Sequence, residues 1–166
     1  VFTGVNKAWM EVKMKVIVIG AAGHIGTYLI PMLVKSGFDT VAITRTMTQP
    51  YEQDEAWNSV ERVLLDRAKD GNFTAKLKAM QPDIIVDLVN FNIGSTKEMV
   101  NAFKDTKLSH YLYCSSCWAQ GRAELLPFNP DSTQKEPLDQ YGKDKFASEM
   151  YLKEQYQKDG FPATIV

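Results

Sequence analysis

Val16-Ile17-Val18-Ile19 stops at Gly20, and two further glycines, Gly23 and Gly26, follow at three-residue intervals before an apolar helical repeat of Ile25, Leu29 and Leu33. Four consecutive apolar residues without polar alternation make a strand covered on both faces, the situation of a parallel sheet layered between helices. This opening is therefore read as strand, glycine turn, helix. The same alternation continues down the chain. Gly37 can close the first helix in a left-handed cap, and Thr40-Val41-Ala42-Ile43 forms the next strand. Further strands are expected at Val60–Leu65, Asp83–Val89 and Tyr111–Cys114, with helices at Ala75–Met80, Thr96–Lys104 and Tyr141–Gln157. Because strand-to-strand crossovers are right-handed, the arrangement expected is a doubly wound α/β sheet with helices on both faces. Pro31 sits inside the first helix, where a lost backbone bond costs about 3 kcal/mol, and predicts a kink.

Composition narrows the class. The chain has 166 residues, 45% hydrophobic and 23% charged, which fits one globular domain and excludes a disordered or fibrous chain. A net charge of −1 gives no bulk attraction to nucleic acid or to a membrane surface, and no apolar run is long enough to span a bilayer. Two cysteines, Cys114 and Cys117, are too few for a secreted disulfide framework, so a cytoplasmic location is expected. Val1–Lys13 lacks the pattern of a signal peptide. Met14 can be the natural start, with residues 1–13 an extension and 14–166 the domain. Ala119–Gln140, broken by Pro127, Pro130 and Pro137, reads as a long loop on the catalytic side of the sheet, of a length that goes with function or mobility, and Phe161–Val166 as the start of a further core strand in which the chain stops.

The chemistry begins at the glycine turn. Glycine at position 20 permits the tight turn, Gly23 lets backbone approach a pyrophosphate, and Gly26 allows close helix–strand packing, while the helix N-terminus favours the anion. The alternative is a turn with no ligand. At the end of the second strand, Thr44-Arg45-Thr46 offers no acid for a ribose 2′-hydroxyl but an arginine suited to a 2′-phosphate, so NADP is favoured over NAD. Tyr141 and Lys145 are four apart and would share a helix face. A nearby ammonium lowers a phenol's pKa from its ordinary value near ~10. The alternative is a solvated helix face. Cys114-Ser115-Ser116-Cys117 has a C-x-x-C spacing but no second pair, and His24 and His110 are isolated, so no metal site is expected. His24 is placed along the cofactor groove.

Three motifs in order, G-x-x-G-x-x-G at Gly20, Gly23 and Gly26, Ser116 closing the strand Tyr113-Cys114-Ser115-Ser116, and Y-x-x-x-K at Tyr141 and Lys145, with Gly121 between them, resemble the extended, sugar-nucleotide epimerase/dehydratase type of short-chain dehydrogenase/reductase. The resemblance covers Lys15–Val166. It implies a Rossmann-type domain binding NAD(P), with the C-terminal substrate domain missing. It also implies hydride transfer to or from a nucleotide sugar or another carbonyl or alcohol, Tyr141 exchanging the proton. Ser116, with Ser115 as the alternative, would orient the substrate oxygen, and Lys145 would bond the nicotinamide ribose. The turn residues Gly20, Ala22, Gly23, His24, Ile25 and Gly26 would meet the cofactor, with Thr44 and Arg45 on its ribose. Asp66, followed by Arg67, resembles the segment that receives the adenine amino group, a helix N-cap being the alternative. Leu88 and Asn92 would lie toward the nicotinamide, although Leu88-Val89-Asn90 replaces the usual small-residue motif and the loop is shorter. The chain by itself is expected to bind cofactor with little turnover. Relatives pair through helices like Thr96–Lys104 and Tyr141–Gln157, implying a possible homodimer. A rival reading, by similarity to chloroplast stem-loop RNA-binding relatives of the same fold, is a non-catalytic RNA-binding or regulatory protein; the near-neutral charge argues against nucleic acid.

Overall fold

A computed structural model describes residues 13–122, 127, 129 and 135–166; residues 1–12 of the expected extension and most of 123–134 in the long loop lie outside it. In chain order the elements are β1 Lys15–Ile19, α1 His24–Lys35, β2 Asp39–Thr44, a 3-10 turn Glu55–Ser59, β3 Glu61–Leu64, α2 Phe73–Ala79 and β4 Ile84–Asp87. Then follow α3 Ile93–Phe103, β5 His110–Tyr113, a 3-10 turn Cys117–Ala119, α4 Gln140–Asp159 and β6 Ala163–Ile165. All strand pairs are parallel, in the order β3-β2-β1-β4-β5-β6. The doubly wound sheet is thus observed, and its order switches between β1 and β4.

The strand alternation divides the core. Ile17, Ile19, Ile43, Ile85 and Tyr111 face one way, onto Leu77 of α2, Met99 and Phe103 of α3 and Leu152 of α4. Val16, Val18, Ala42 and Val86 face the other, onto Ile30 of α1. Burying a side chain of this size stabilises by about 1.5–3 kcal/mol, so the two apolar faces hold the sheet between helix layers. On α1 the buried stripe is Gly26, Thr27, Ile30 and Pro31, and Ile25, expected in the apolar repeat, is 53% exposed. The reason is local: Gly26 must face the backbone of Ala21, which turns Ile25 outward. The helix runs from His24 to Lys35 with Pro31 inside it.

Pairing register sets the active edge. Ile19 lies opposite Ile43 on one side and Asp87 on the other, and Asp87 lies opposite Tyr113. The carboxyl ends of β1, β2, β4 and β5 therefore finish level, and ligands of open α/β sheets bind beyond such ends, at the switch in strand order. No described helix is long and apolar enough to cross a membrane.

Candidate active site

The glycine turn shows why its residue types are required. Gly20 has φ 86°, a left-handed value that L side chains rarely adopt. A Cβ on Gly26 would stand 2.2 Å from the Ala21 carbonyl oxygen, so only glycine lets α1 start this close to the end of β1. Gly23 is the α1 N-cap and provides no side-chain hydrogen bond, in contrast to Asn92 on α3 and Asp139 on α4, whose side chains accept from Ser95 N and Gly142 N. An uncapped first turn keeps its N–H groups for an anion. His24 and Ile25 are exposed beside it, and the His24 ring meets Tyr51 edge-on at 5.6 Å.

At the end of β2 and β3 the residues also fit a dinucleotide. Thr44 is buried and its hydroxyl has no hydrogen-bond partner among the described residues, while Arg45 next to it is exposed. Asp66 uses one carboxylate oxygen to accept from Ala68 N at 3.0 Å, a turn cap rather than the cap of α2, which begins seven residues later at Phe73. Arg67, placed on the cofactor by the resemblance, reaches inward: its Nη2 donates to Asp87 Oδ2 at 2.7 Å, and the guanidinium lies 5.1 Å over the Phe73 ring. Asn92 is occupied as a cap, and Leu88 is half-buried against the α1 face of the core.

Tyr141 and Lys145 do share a face of α4. Lys145 is 1% exposed, its Nζ donating to the carbonyls of Cys114 at 2.6 Å and Asn90 at 2.7 Å. The same nitrogen stands 5.7 Å from the centre of the Tyr141 ring. Burial lowers the Lys145 pKa from the ordinary lysine value. Tyr113 is nearer, at 4.7 Å, yet it is fully buried, and burial drives its pKa far above that of a free phenol. Tyr141, 37% exposed, is the phenol at this ammonium that opens to solvent.

Ser116 is joined to the same assembly. Its hydroxyl accepts from Trp118 N at 3.3 Å and so begins the turn Cys117–Ala119, two residues beyond the carbonyl that holds Lys145. That turn packs on the start of α4, where a Cβ on Gly142 would lie 2.4 Å from the Trp118 carbonyl oxygen. Gly142, within the Y-x-x-x-K spacing, is what allows this approach. Gly121 has φ 79°, and a Cβ there would lie 2.2 Å from the Glu136 carbonyl oxygen, so the loop returns along this glycine. Ser115 points elsewhere, donating to Glu149 on α4. Cys114 and Cys117 are free thiols, and among the described residues no three His, Cys, Asp or Glu side chains gather as a metal site.

The link between the two halves is the segment after β4. The Val89 side chain lies against Gly20, Asn90 gives its carbonyl to Lys145, and the Phe91 ring is 6.2 Å from the Tyr141 ring. Asp87, Asn90, Gly142 and Glu149 were not singled out from the sequence as site residues. Two left a signal: an aspartate closing the apolar run Ile84–Val86 calls for a buried partner, and Glu149 continues the four-residue spacing of Tyr141 and Lys145.

The profile of the NAD dependent epimerase/dehydratase family matches residues 16–166. The chain belongs to this family. A UDP-glucose 4-epimerase of Lactobacillus helveticus is 26% identical over 92% of the chain, which spans 50% of that relative. Among solved structures, the Brucella ovis UDP-glucose 4-epimerase in complex with NAD superposes with TM-score 0.74 at 19% identity, over 92% of this chain and 50% of that one. A Methanobrevibacter ruminantium UDP-N-acetylglucosamine 4-epimerase gives TM-score 0.75 at 17% identity, over 92% and 54%. The chain thus carries a Rossmann-type domain of the epimerase/dehydratase family and spans about half the length of the relatives it matches.

Proposed function

We propose that this chain is the dinucleotide-binding half of an NAD(P)-dependent, sugar-nucleotide epimerase/dehydratase-type oxidoreductase. The observation that carries the reading is Lys145, sequestered between the Cys114 and Asn90 carbonyls with the exposed Tyr141 beside it. The dinucleotide, when bound, supplies the hydride acceptor and donor. The pyrophosphate would lie on the first turn of α1, the adenine ribose at Thr44 and Arg45, and the adenine at Asp66. At the other end Lys145 would meet the nicotinamide ribose.

From there the chain's own groups act on the proton. A cation fixed beside Tyr141 favours its phenolate, which lets the hydroxyl take a proton from a substrate alcohol or return one to a carbonyl. Ser116 would hold the substrate oxygen. Glu149 already faces Lys135 and Asp87 faces Arg67, so among the described residues no carboxylate directly neutralises Lys145. Substrates resembling the nucleotide sugars named for the relatives suit this chemistry, and pairing through α3 and α4, which pack side by side on one face of the sheet, is the dimer we favour.

Cofactor choice is decided at Arg45. In fluorescence titrations of this chain, NADP is expected to bind about tenfold more tightly than NAD, the effect of one charge-assisted contact of about 1.5 kcal/mol. Arg45→Ala is expected to erase the difference. Equal affinities in both proteins would remove the NADP preference and favour NAD, the cofactor in the Brucella ovis structure. Absence of binding by either nucleotide would overturn the reading itself.

A further inference from the structure

Under the carboxyl ends of β4 and β5 lies a buried polar chain that the reaction does not call for. The Asp87 side chain is fully buried, and its Oδ2 receives three donors: Arg67 Nη2 at 2.7 Å, Tyr111 OH at 2.8 Å and Asn90 Nδ2 at 3.1 Å. Asn90 is also fully buried. Its Oδ1 accepts from Thr96 Oγ1 at 3.2 Å, and Thr96 in turn meets Ser148 Oγ of α4 at 2.9 Å. Asn90 Nδ2 also donates to Tyr111 OH at 3.3 Å, and these three side-chain bonds give the asparagine one orientation. Its backbone carbonyl is the one that receives Lys145 Nζ at 2.7 Å. One residue therefore touches the ammonium through its backbone and the buried carboxylate through its side chain.

We propose that Asp87, acting through Asn90 and shared with Arg67, is the counter-ion and positioning residue of Lys145. This rests on reading Lys145 as the lysine of the cofactor and Tyr141 site. Two cations are set about one carboxylate. A buried ammonium loses hydration, and a negative charge close by offsets part of that loss. Burial lowers the Lys145 pKa most; Cys114, then Asp87, and more weakly Glu149 support the protonated lysine, whereas Arg67 opposes it. The other titratable groups around Lys145 are Cys114, Tyr111 and Tyr113 on the β5 side and Tyr141, Asp144 and Glu149 on α4. Tyr111 and Tyr113 are held neutral by burial, Asp144 caps the start of α3 through Ile93 N, and Glu149 is paired with Lys135. Arg67 follows Asp66 directly in the chain, so the adenine-side loop and the lysine draw on a single negative charge.

The test is the titration of Lys145 in this chain without nucleotide. Protein labelled with 13C at the lysine ε-carbons is followed by NMR against pH, and the Lys145 signal is the one missing from Lys145→Arg. Asp87→Asn is expected to lower the Lys145 midpoint by about one pH unit, and Arg67→Met to raise it by a similar amount. A general loosening of the fold would move both the same way. If Asp87→Asn does not fold, Arg67→Met decides, with an unmoved or lowered midpoint overturning the proposal. In the wild type the Asp87 carboxyl carbon is expected to shift as Lys145 titrates, and a carboxyl signal blind to that step would also overturn it. No dinucleotide is present, so failure here leaves the cofactor reading to its own titrations.

Discussion

Lys135→Met is expected to cost about 3–5 kcal/mol of folding free energy, the penalty for stranding a buried charge. Lys135 Nζ and Glu149 Oε2 are 2.6 Å apart with side chains 2% and 5% exposed, and the other Glu149 oxygen accepts from Ser115. Without the lysine, the carboxylate keeps one hydroxyl donor and no cation. For a domain of this length the loss corresponds to a fall in melting temperature of about 10 °C. The double variant Lys135→Met/Glu149→Gln removes the charge as well and is expected to recover about 1–2 kcal/mol relative to Lys135→Met, since a neutral amide still receives Ser115. Urea unfolding of the four proteins in the cycle checks this, and strict additivity would show that the pair contributes no coupling. The pair matters to function because it ties the returning end of the long loop and the residue before Ser116 to the helix that carries Tyr141.

Gly26→Ala is expected to have the second largest effect and to act on binding as well as stability. Alanine in a helix is ordinarily better than glycine by about 1 kcal/mol. Here the added methyl would stand 2.2 Å from the carbonyl oxygen and 2.6 Å from the carbonyl carbon of Ala21, all backbone atoms held at the end of β1. Overpacking of this kind costs about 1–3 kcal/mol or somewhat more, and relief requires α1 to move away from the strand. That displacement takes the uncapped first turn away from the position proposed for the pyrophosphate. Dinucleotide affinity is expected to fall by at least about tenfold, against a net stability loss of about 2 kcal/mol. Calorimetric titration with NADP, alongside thermal unfolding, separates the two; unchanged affinity would mean that the α1 N-terminus holds no phosphate.

How far the sequence announces this architecture depends on how local each signal is. The β1 run, the glycine turn and the strand at Thr40–Ile43 are legible because a doubly buried strand must be apolar throughout and a left-handed turn requires glycine. Helix positions follow the expected ones within a few residues: α3 begins at Ile93 rather than Thr96 because the Asn92 cap lies ahead of the apolar stripe. The 3-10 turn at Glu55–Ser59 leaves no mark in the sequence, since five residues offer no period to detect. The apolar repeat puts Ile25 on the core face, yet it is exposed, because a side-chain pattern does not show which residue must meet backbone. In the candidate site, helical spacing puts Tyr141 and Lys145 on one face of a helix, but by itself that spacing equally suits a solvated face, and their grouping with Ser116 comes from the family resemblance. Arg67 is expected on the cofactor, but its guanidinium turns inward to Asp87, 20 residues away on another strand, a partner no local pattern announces. Ion pairs between loops and strands, like Lys135 with Glu149, carry no local pattern and emerge only from the packed fold.

The central claim is that one extended groove runs from the glycine turn, across Val89–Phe91, to Tyr141 and Lys145. Mapping NADP onto the assigned amide spectrum of this chain tests it most directly. The account expects the largest changes together at Ala22–Gly26, Thr44–Arg45, Asp66, Leu88–Phe91 and Lys145. Changes confined to one end, or falling on the opposite edge of the sheet while Gly23–Gly26 stay still, would contradict it.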